Sequence, residues 1–448
     1  MIRNRDALVA GGNREARATV LDVATAAVDA AHPRRTVPAV VGREGEKLRV
    51  SERTYDLDAV DDVYVVGAGK GAAAVTAELA DVLGERITGG VVAEKAGGDE
   101  VGVDDVHVVA AGHPIPDDAS LAAGRRALDV ADAAGPDDLV IVPVTGGASA
   151  TLVAPAGGLT LDDLAATTER LLRAGLRIDD INAVRKHCSA LKGGRLAERL
   201  APATVITLVV VDEVAGDPWG PTVGDETTFA DALDVLARHE LTDAVPRAVV
   251  DHLRRGRDGA VAETPPTTEG HDVVLAGPAD LAEAARDRAA ALGYEPLILS
   301  TTVEGESREV ATCLAAVAEE AATHGRPATP PCVLISGGET TVRVDGDAGD
   351  GGPNQEFALA SALELAGWDG GTATTLALGT DGTDGPTDVA GGLVDATSVD
   401  RMAERGVDAR AHLRRHDATT ALRAVDDAVI TGATGTNVMD LRVTLVED

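Results

Sequence analysis

The sequence predicts an α/β protein of two α/β/α sandwich domains, the first with a Rossmann-like, mostly parallel sheet and the active site in the cleft between the two. Three observations predict it. Short, unbroken apolar runs alternate with helical patterns, which is how strands buried on both faces of a parallel sheet read. Glycine-rich turns follow several of those runs. The 448 residues suit two domains better than one.

Residues 14–32 carry Ala, Val and Leu at helical spacing and stop at His32-Pro33. A strand at Val63–Val66 breaks at Gly67, and a helix follows over Ala72–Leu83. Gly90–Ala93 and Val106–Ala110 read as strands and Asp118–Ala134 as a helix. Leu139–Val144 is a strand running into Thr145-Gly-Gly-Ala-Ser. A helix over Leu161–Ala174 precedes an apolar strand over Val205–Val211. Residues 256–271 lose periodicity and gather Gly, Pro and Thr, which marks a boundary. The domains are therefore drawn at 1–255 and 256–448, with the first helix free to pack on the second domain. A second βα series follows. Its strands are Val273–Ala276, Pro296–Ser300, Cys332–Ser336, Thr374–Leu378 and Ala428–Thr431, and its helices are Leu281–Leu292 and Ser307–Thr323.

Net charge is −34, and aromatics are only 2%. The cores must be built from Ala, Val and Leu. So acidic a chain repels nucleic acid and anionic membrane, and its self-repulsion eases in high salt. This reads as adaptation to a salt-rich cytoplasm. Cys188, Cys313 and Cys332 are scattered, with no CxxC pair, as in a reducing cytosol. The first residues hold no secretory signal, and no apolar run is long enough to span a membrane. A homo-oligomer is left open.

Of the 40 Lys and Arg residues only five are lysine. Four of them, Lys70, Lys95, Lys186 and Lys192, lie in or beside glycine-rich turns, and only Lys47 lies elsewhere. That placement points to phosphate or carboxylate chemistry. Gly67-Ala-Gly69-Lys70-Gly-Ala72 leaves a strand and opens a helix, so its backbone N–H groups can nest an anion. It also fits a dinucleotide pattern, with Glu94 at the next strand end as a ribose-binding acid, although a lysine there suits bare phosphate better. Gly146, Gly147 and Ser149 form a second turn. It lacks the second glycine of a G-x-S-x-G elbow and reads as a backbone cradle. In Arg185-Lys186-His-Cys188-Ser-Ala-Leu-Lys192 a helix would put Arg185, Cys188 and Lys192 on one face as an anion clamp, with His187 a structural histidine. Asp212, Glu213 and Asp217 follow a buried strand. Glu339, Asp381 and Asp384 sit in turns at strand ends and could hold Mg²⁺. Asn354, Gln355 and Glu356 follow an acidic loop, and Thr436 and Asn437 close a fourth Gly/Thr turn.

These segments, taken in order, resemble the type-2 glycerate kinases, the glycerate 2-kinases with a C-terminal MOFRL domain, some historically labelled hydroxypyruvate reductases. The matching segments are GAGK at 67–70, RKHCSALKGGRL at 185–196, VDEVAGDP at 211–218, SGGETTV at 336–342, NQE at 354–356, GTDGTDGPT at 379–387 and TGATGTNVMDL at 431–441. The resemblance covers nearly the whole chain and places the MOFRL region at about 331–441. It implies transfer of the γ-phosphoryl of ATP to D-glycerate, giving 2-phosphoglycerate, with Mg²⁺. Lys70, Lys192 and Asp381 would be catalytic, with Asp381, Asp384 and Glu339 the candidates for Mg²⁺ or for accepting the hydroxyl proton. Gly67, Gly69, Gly146, Gly147, Ser149, Arg185, Lys186, Asn354, Gln355, Glu356, Thr436 and Asn437 would bind substrate or phosphate. Pro353 stands where the family usually has arginine, which leaves Arg185 or Arg195 to compensate. An NAD(P)H-dependent hydroxypyruvate reductase and a non-catalytic nucleotide or metabolite sensor are the alternatives.

Overall fold

The computed structural model describes residues 1–96, 102–212, 219–344, 346, 348–368 and 371–447. The chain divides into two compact units: a central one over Thr36–Val211 and on to Leu275, and a terminal one over Met1–Arg35, Asp212 and Ala276–Asp448.

The central unit opens with a small antiparallel sheet, β1 (Val41–Glu44), β2 (Lys47–Val50) and β3 (Arg53–Asp56), which the sequence reading left unassigned. Its main sheet holds β4 (Val63–Ala68), β5 (Ile87–Lys95), β6 (Val106–Ala111), β7 (Leu139–Val144), β8 (Thr204–Val210) and β9 (His271–Ala276). The order is β6-β5-β4-β7-β8-β9, and the paired strands from β6 to β8 run parallel. This is the doubly wound order in which ligands sit where the strand sequence reverses, between β4 and β7. Every residue of β7 is buried, as a strand covered on both faces requires. The flanking helices start on strong caps. Asp117 with Ser120, Thr160 with Asp163 and Thr228 with Asp231 form reciprocal capping boxes, each satisfying two N–H groups that the first turn leaves without partners.

Val273–Ala276, expected to begin a second βα series, is instead the edge strand β9 of this first sheet. The Gly/Pro-rich stretch before it is therefore a connection within the central unit. Its Pro265 carbonyl accepts from Asp225 N at 2.8 Å.

The terminal unit is a mixed sheet. Its strands are β10 (Glu295–Glu306), β11 (Cys332–Thr341), β12 (Thr372–Gly379), β13 (Gly391–Asp395), β14 (Ala428–Val429) and β15 (Asp440–Glu447), in the order β10-β11-β15-β12-β13-β14. Only β10 and β11 pair in parallel. β15 runs antiparallel between β11 and β12. The last strand of the chain thus lies inside the sheet, a placement no local pattern reveals.

Helix Arg14–Ala30 packs in this unit through a buried apolar face and one buried cation. Arg17 is fully buried, with its Nε 2.6 Å from Asp395 and its Nη1 2.7 Å from Asp427. Nη1 also donates to the Leu8 carbonyl at 3.0 Å. Truncating it would leave the buried Asp395 carboxylate without its cation, at a cost of about 3–5 kcal/mol, whereas Asp427 would keep Arg401.

Candidate functional site

The two glycine turns of the central unit leave adjacent strands, since Ala68 of β4 pairs with Val144 of β7. They lock together through their backbones. Thr145 N donates to Ala68 O at 3.0 Å and Lys70 N to Gly146 O at 2.7 Å. Gly69 has φ of +117°, and a Cβ there would stand 2.1 Å from the Thr145 carbonyl oxygen, so only glycine fits. Gly67 packs against Val92 and the Pro143 carbonyl. Gly67, Gly69, Lys70, Gly146 and Gly147 are thus brought together at the reversal of strand order.

The nest at the start of helix Ala72–Leu83 already has its anion. Gly71 N donates to Glu94 Oε1 at 2.8 Å and Ala73 N to Oε2 at 3.0 Å. Glu94, a buried residue, therefore neutralises the positive helix end. Two expectations change. These N–H groups face a carboxylate of the chain rather than a phosphate, and Glu94 is committed to the loop rather than offered to a ribose.

Beside these turns lies a small cavity whose lining includes Pro116, Ser149, Thr168, Arg185, Cys188 and Lys192. The shared face expected for Arg185, Cys188 and Lys192 exists, although the helix ends at His187 and Cys188 is its C-cap. Arg185 has no ion pair or side-chain hydrogen bond among the described residues, and burial pulls its pKa down to about 10. Lys192 Nζ donates to the Leu152 carbonyl at 2.8 Å. Burial, and then the like charge of Arg185, pull its pKa down to about 7. Two cations without an acid form a ready seat for an anion. Burial pushes the Cys188 thiol up to about 12, so it is no nucleophile.

Lys186 does not join them. Its Nζ lies 3.1 Å from Asp225 Oδ1, and Asp225 also accepts from Thr227 and Thr264. These partners hold its carboxyl below the usual range against the effect of burial. Lys186 is thus an ion-pair partner of Asp225 and does not line the cavity. His187 is structural, as expected. Its Nδ1 is 2.7 Å from the Ala183 carbonyl and its ring meets Phe229 edge-on.

In the terminal unit the turn residues largely satisfy one another. Asp384 accepts from Asn354 N at 3.0 Å and Nδ2 at 3.2 Å, and from Gln355 N at 2.8 Å and Nε2 at 3.0 Å. It therefore caps helix Pro353–Leu365 from thirty residues away, and burial raises its pKa to about 7. Pro353 occupies the helix start, where a missing N–H costs nothing. Glu356 is buried between Arg308 and His416. Gln355 Oε1 accepts from Thr419 Oγ1. Thr436 Oγ1 donates to Ala31 O at 2.9 Å, and Asn437 Nδ2 to Asp212 at 3.1 Å. The polar groups of these residues thus make ties within the terminal unit.

Asp381 accepts from Thr383 N and Oγ1 at 2.9 and 3.0 Å, and Glu339 is exposed at the end of β11. Among the described residues no three His, Cys, Asp or Glu side chains are grouped to hold a metal. Glu339, Asp381 and Asp384 thus do not make a three-carboxylate cage, because the Asp384 oxygens are occupied by four N–H donors. Glu213 and Asp217 lie outside the described residues.

Sequence reasoning missed Asp440 and Arg442. They sit on β15 opposite Gly338 and Ser336. Asp440 accepts from Asn354 Nδ2 at 2.7 Å and from Arg442 Nη2 at 3.0 Å. Burial raises its pKa, against the pull of Arg442. The alternation of the DLRVTLVE segment was the available signal.

Residues 19–254 match a domain of unknown function (DUF4147), and residues 332–440 match the MOFRL family. A glycerate 2-kinase of Pyrococcus horikoshii is 37% identical, over 94% of this chain and 95% of its own. A protein of Agrobacterium vitis, provisionally named a hydroxypyruvate reductase, is 43% identical over 85% of this chain and 98% of its own. The solved structure of a glycerate kinase from Thermotoga maritima superposes with a TM-score of 0.79 at 33% identity, covering 96% of this chain and 98% of that one.

Proposed function

This chain belongs to the glycerate 2-kinase family, and from that premise we propose that it phosphorylates D-glycerate at the 2-hydroxyl with ATP. The observation that carries the reading is the cavity where Arg185 and Lys192 meet without an acid, beside the turns that present Lys70. A 2-hydroxy acid needs a cationic seat for its carboxylate, and Arg185 and Lys192 supply one. Phosphoryl transfer then needs charge neutralisation more than covalent help from the protein. Lys70 supplies an ammonium for the transferring phosphoryl, worth on the order of 3 kcal/mol of barrier by analogy with single oxyanion donors.

Mg²⁺ travels on nucleotide phosphates and needs only one or two protein carboxylates. When bound it would spread the charge of the triphosphate. A net charge of −34 supports work in a salt-rich cytoplasm.

The test is to incubate the protein with D-glycerate, ATP and Mg²⁺ in molar KCl, follow ADP, and identify the product by phosphorus NMR. The expected product is 2-phosphoglycerate. Oxidation of NADH by hydroxypyruvate without ADP formation would instead establish the reductase reading, which the engagement of Glu94 disfavours.

A further inference from the structure

We infer that His113 is a further catalytic residue, the acceptor of the proton from the reacting hydroxyl. The inference rests on the kinase reading above. His113 belongs to Ala111-Gly-His-Pro-Ile-Pro-Asp117, the turn leaving β6, a segment that no role assigned so far uses. Gly147 has φ of +89°, and a Cβ placed on it would lie 3.0 Å from His113 Cδ2, 3.2 Å from His113 Nε2 and 3.4 Å from Lys70 Cγ. The Nε2 edge of the imidazole and the stem of the proposed catalytic lysine therefore converge over one glycine. Gly147 leaves that space open.

The turn that carries His113 is a built one. Asp117 accepts from Ser120 N at 2.8 Å and from the N–H of Gly112. Prolines flank Ile115 on both sides, so little freedom remains. Three residues after His113, Pro116 lines the Arg185–Lys192 cavity, and Ser149, two residues after Gly147, lines it too. One turn thus reaches both the lining of the anion seat and the glycine over which the lysine stem lies. A 2-hydroxy acid whose carboxylate is held by Arg185 and Lys192 carries its hydroxyl on the adjacent carbon, and both turns contribute a residue to the lining of that cavity.

In the step, the hydroxyl oxygen forms the new O–P bond while the bond from the γ-phosphorus to the β–γ bridging oxygen breaks. The hydroxyl proton passes to His113 Nε2, and ADP departs with the negative charge. An acceptor of this kind contributes about 10²–10⁴-fold.

The experiment compares wild type, His113→Ala and His113→Gln by ADP release, with KM for glycerate and for ATP and a thermal unfolding midpoint for each. Turnover should fall about a hundredfold or more in both variants, with both KM values within about threefold. Added imidazole should restore part of the turnover of His113→Ala and none of His113→Gln. The glutamine variant, which keeps a polar group of similar reach, decides the matter if the alanine variant does not fold. Turnover within about threefold of wild type in a folded variant would overturn the role of His113 and leave the kinase reading intact. So would a loss confined to KM without imidazole rescue. A wild type inert toward glycerate would overturn both.

Discussion

Arg185 and Lys192 of the central unit line one cavity with no carboxylate to answer them. Arg17 and Arg401 of the terminal unit each lie against Asp427, and Arg442 lies against Asp440. A buried charge left unpaired costs several kcal/mol. A chain keeps such a group where a ligand will supply the missing partner. A buried charge that is already paired holds the fold together. The contrast separates two uses of residues that look alike in sequence: Lys192 and Lys186 are six positions apart, yet one faces a seat without an acid and the other faces Asp225.

The largest expected effect lies in the glycine turns of the central unit. Lys70→Ala should fold normally and lose at least about a hundredfold in turnover, roughly 3 kcal/mol of barrier, measured as ADP release. Near-normal turnover would remove its assigned role. Arg185→Met should raise the KM for glycerate about tenfold or more, since charged hydrogen bonds contribute about 1.5–3 kcal/mol. Its unfolding midpoint should hold or rise, because the variant deletes an unanswered buried charge. A fall in both stability and affinity would show Arg185 to be structural.

On the closed side, Asp384→Asn should cost about 1–3 kcal/mol of stability, read in denaturant unfolding. It turns an amide toward N–H donors at the head of helix Pro353–Leu365. An unchanged midpoint would mean that this cap is dispensable. Lys186→Met should cost about 1–3 kcal/mol, since it leaves the buried Asp225 carboxylate to its hydroxyl partners alone, and should leave turnover unchanged. A drop comparable to Arg185→Met would erase the distinction between the two.

Much of this was legible in the sequence where the signal is local. Helix Ala72–Leu83 and strand Leu139–Val144 match their expected limits, because a glycine break and an unbroken apolar run define them. The Arg185–Cys188–Lys192 grouping was legible from spacing alone. Long-range pairings were not. Nothing near Gly71 announces that Glu94, twenty-three residues on, fills its nest. Nothing near Asp384 announces that it caps a helix begun thirty residues earlier. Asp440 and Arg442 acquire meaning only because β15 lies between β11 and β12, and strand order in a mixed sheet is set by tertiary packing, not by propensity.

Lys192 gives the most direct test. Its pKa near 7 in the folded protein lies below its ordinary value. Between about pH 7 and 10 the unfolded chain therefore binds more protons, and stability should rise with pH. At pH 8 the amine is mostly neutral, and an arriving carboxylate favours its charged form. Calorimetric titration with D-glycerate at pH 8, in buffers of different ionisation enthalpy, should show proton uptake approaching one per molecule bound. In Lys192→Met it should show none, with weaker binding. Equal affinity in the variant, with no proton taken up by the wild type, would contradict the claim that this cavity holds the substrate's carboxylate.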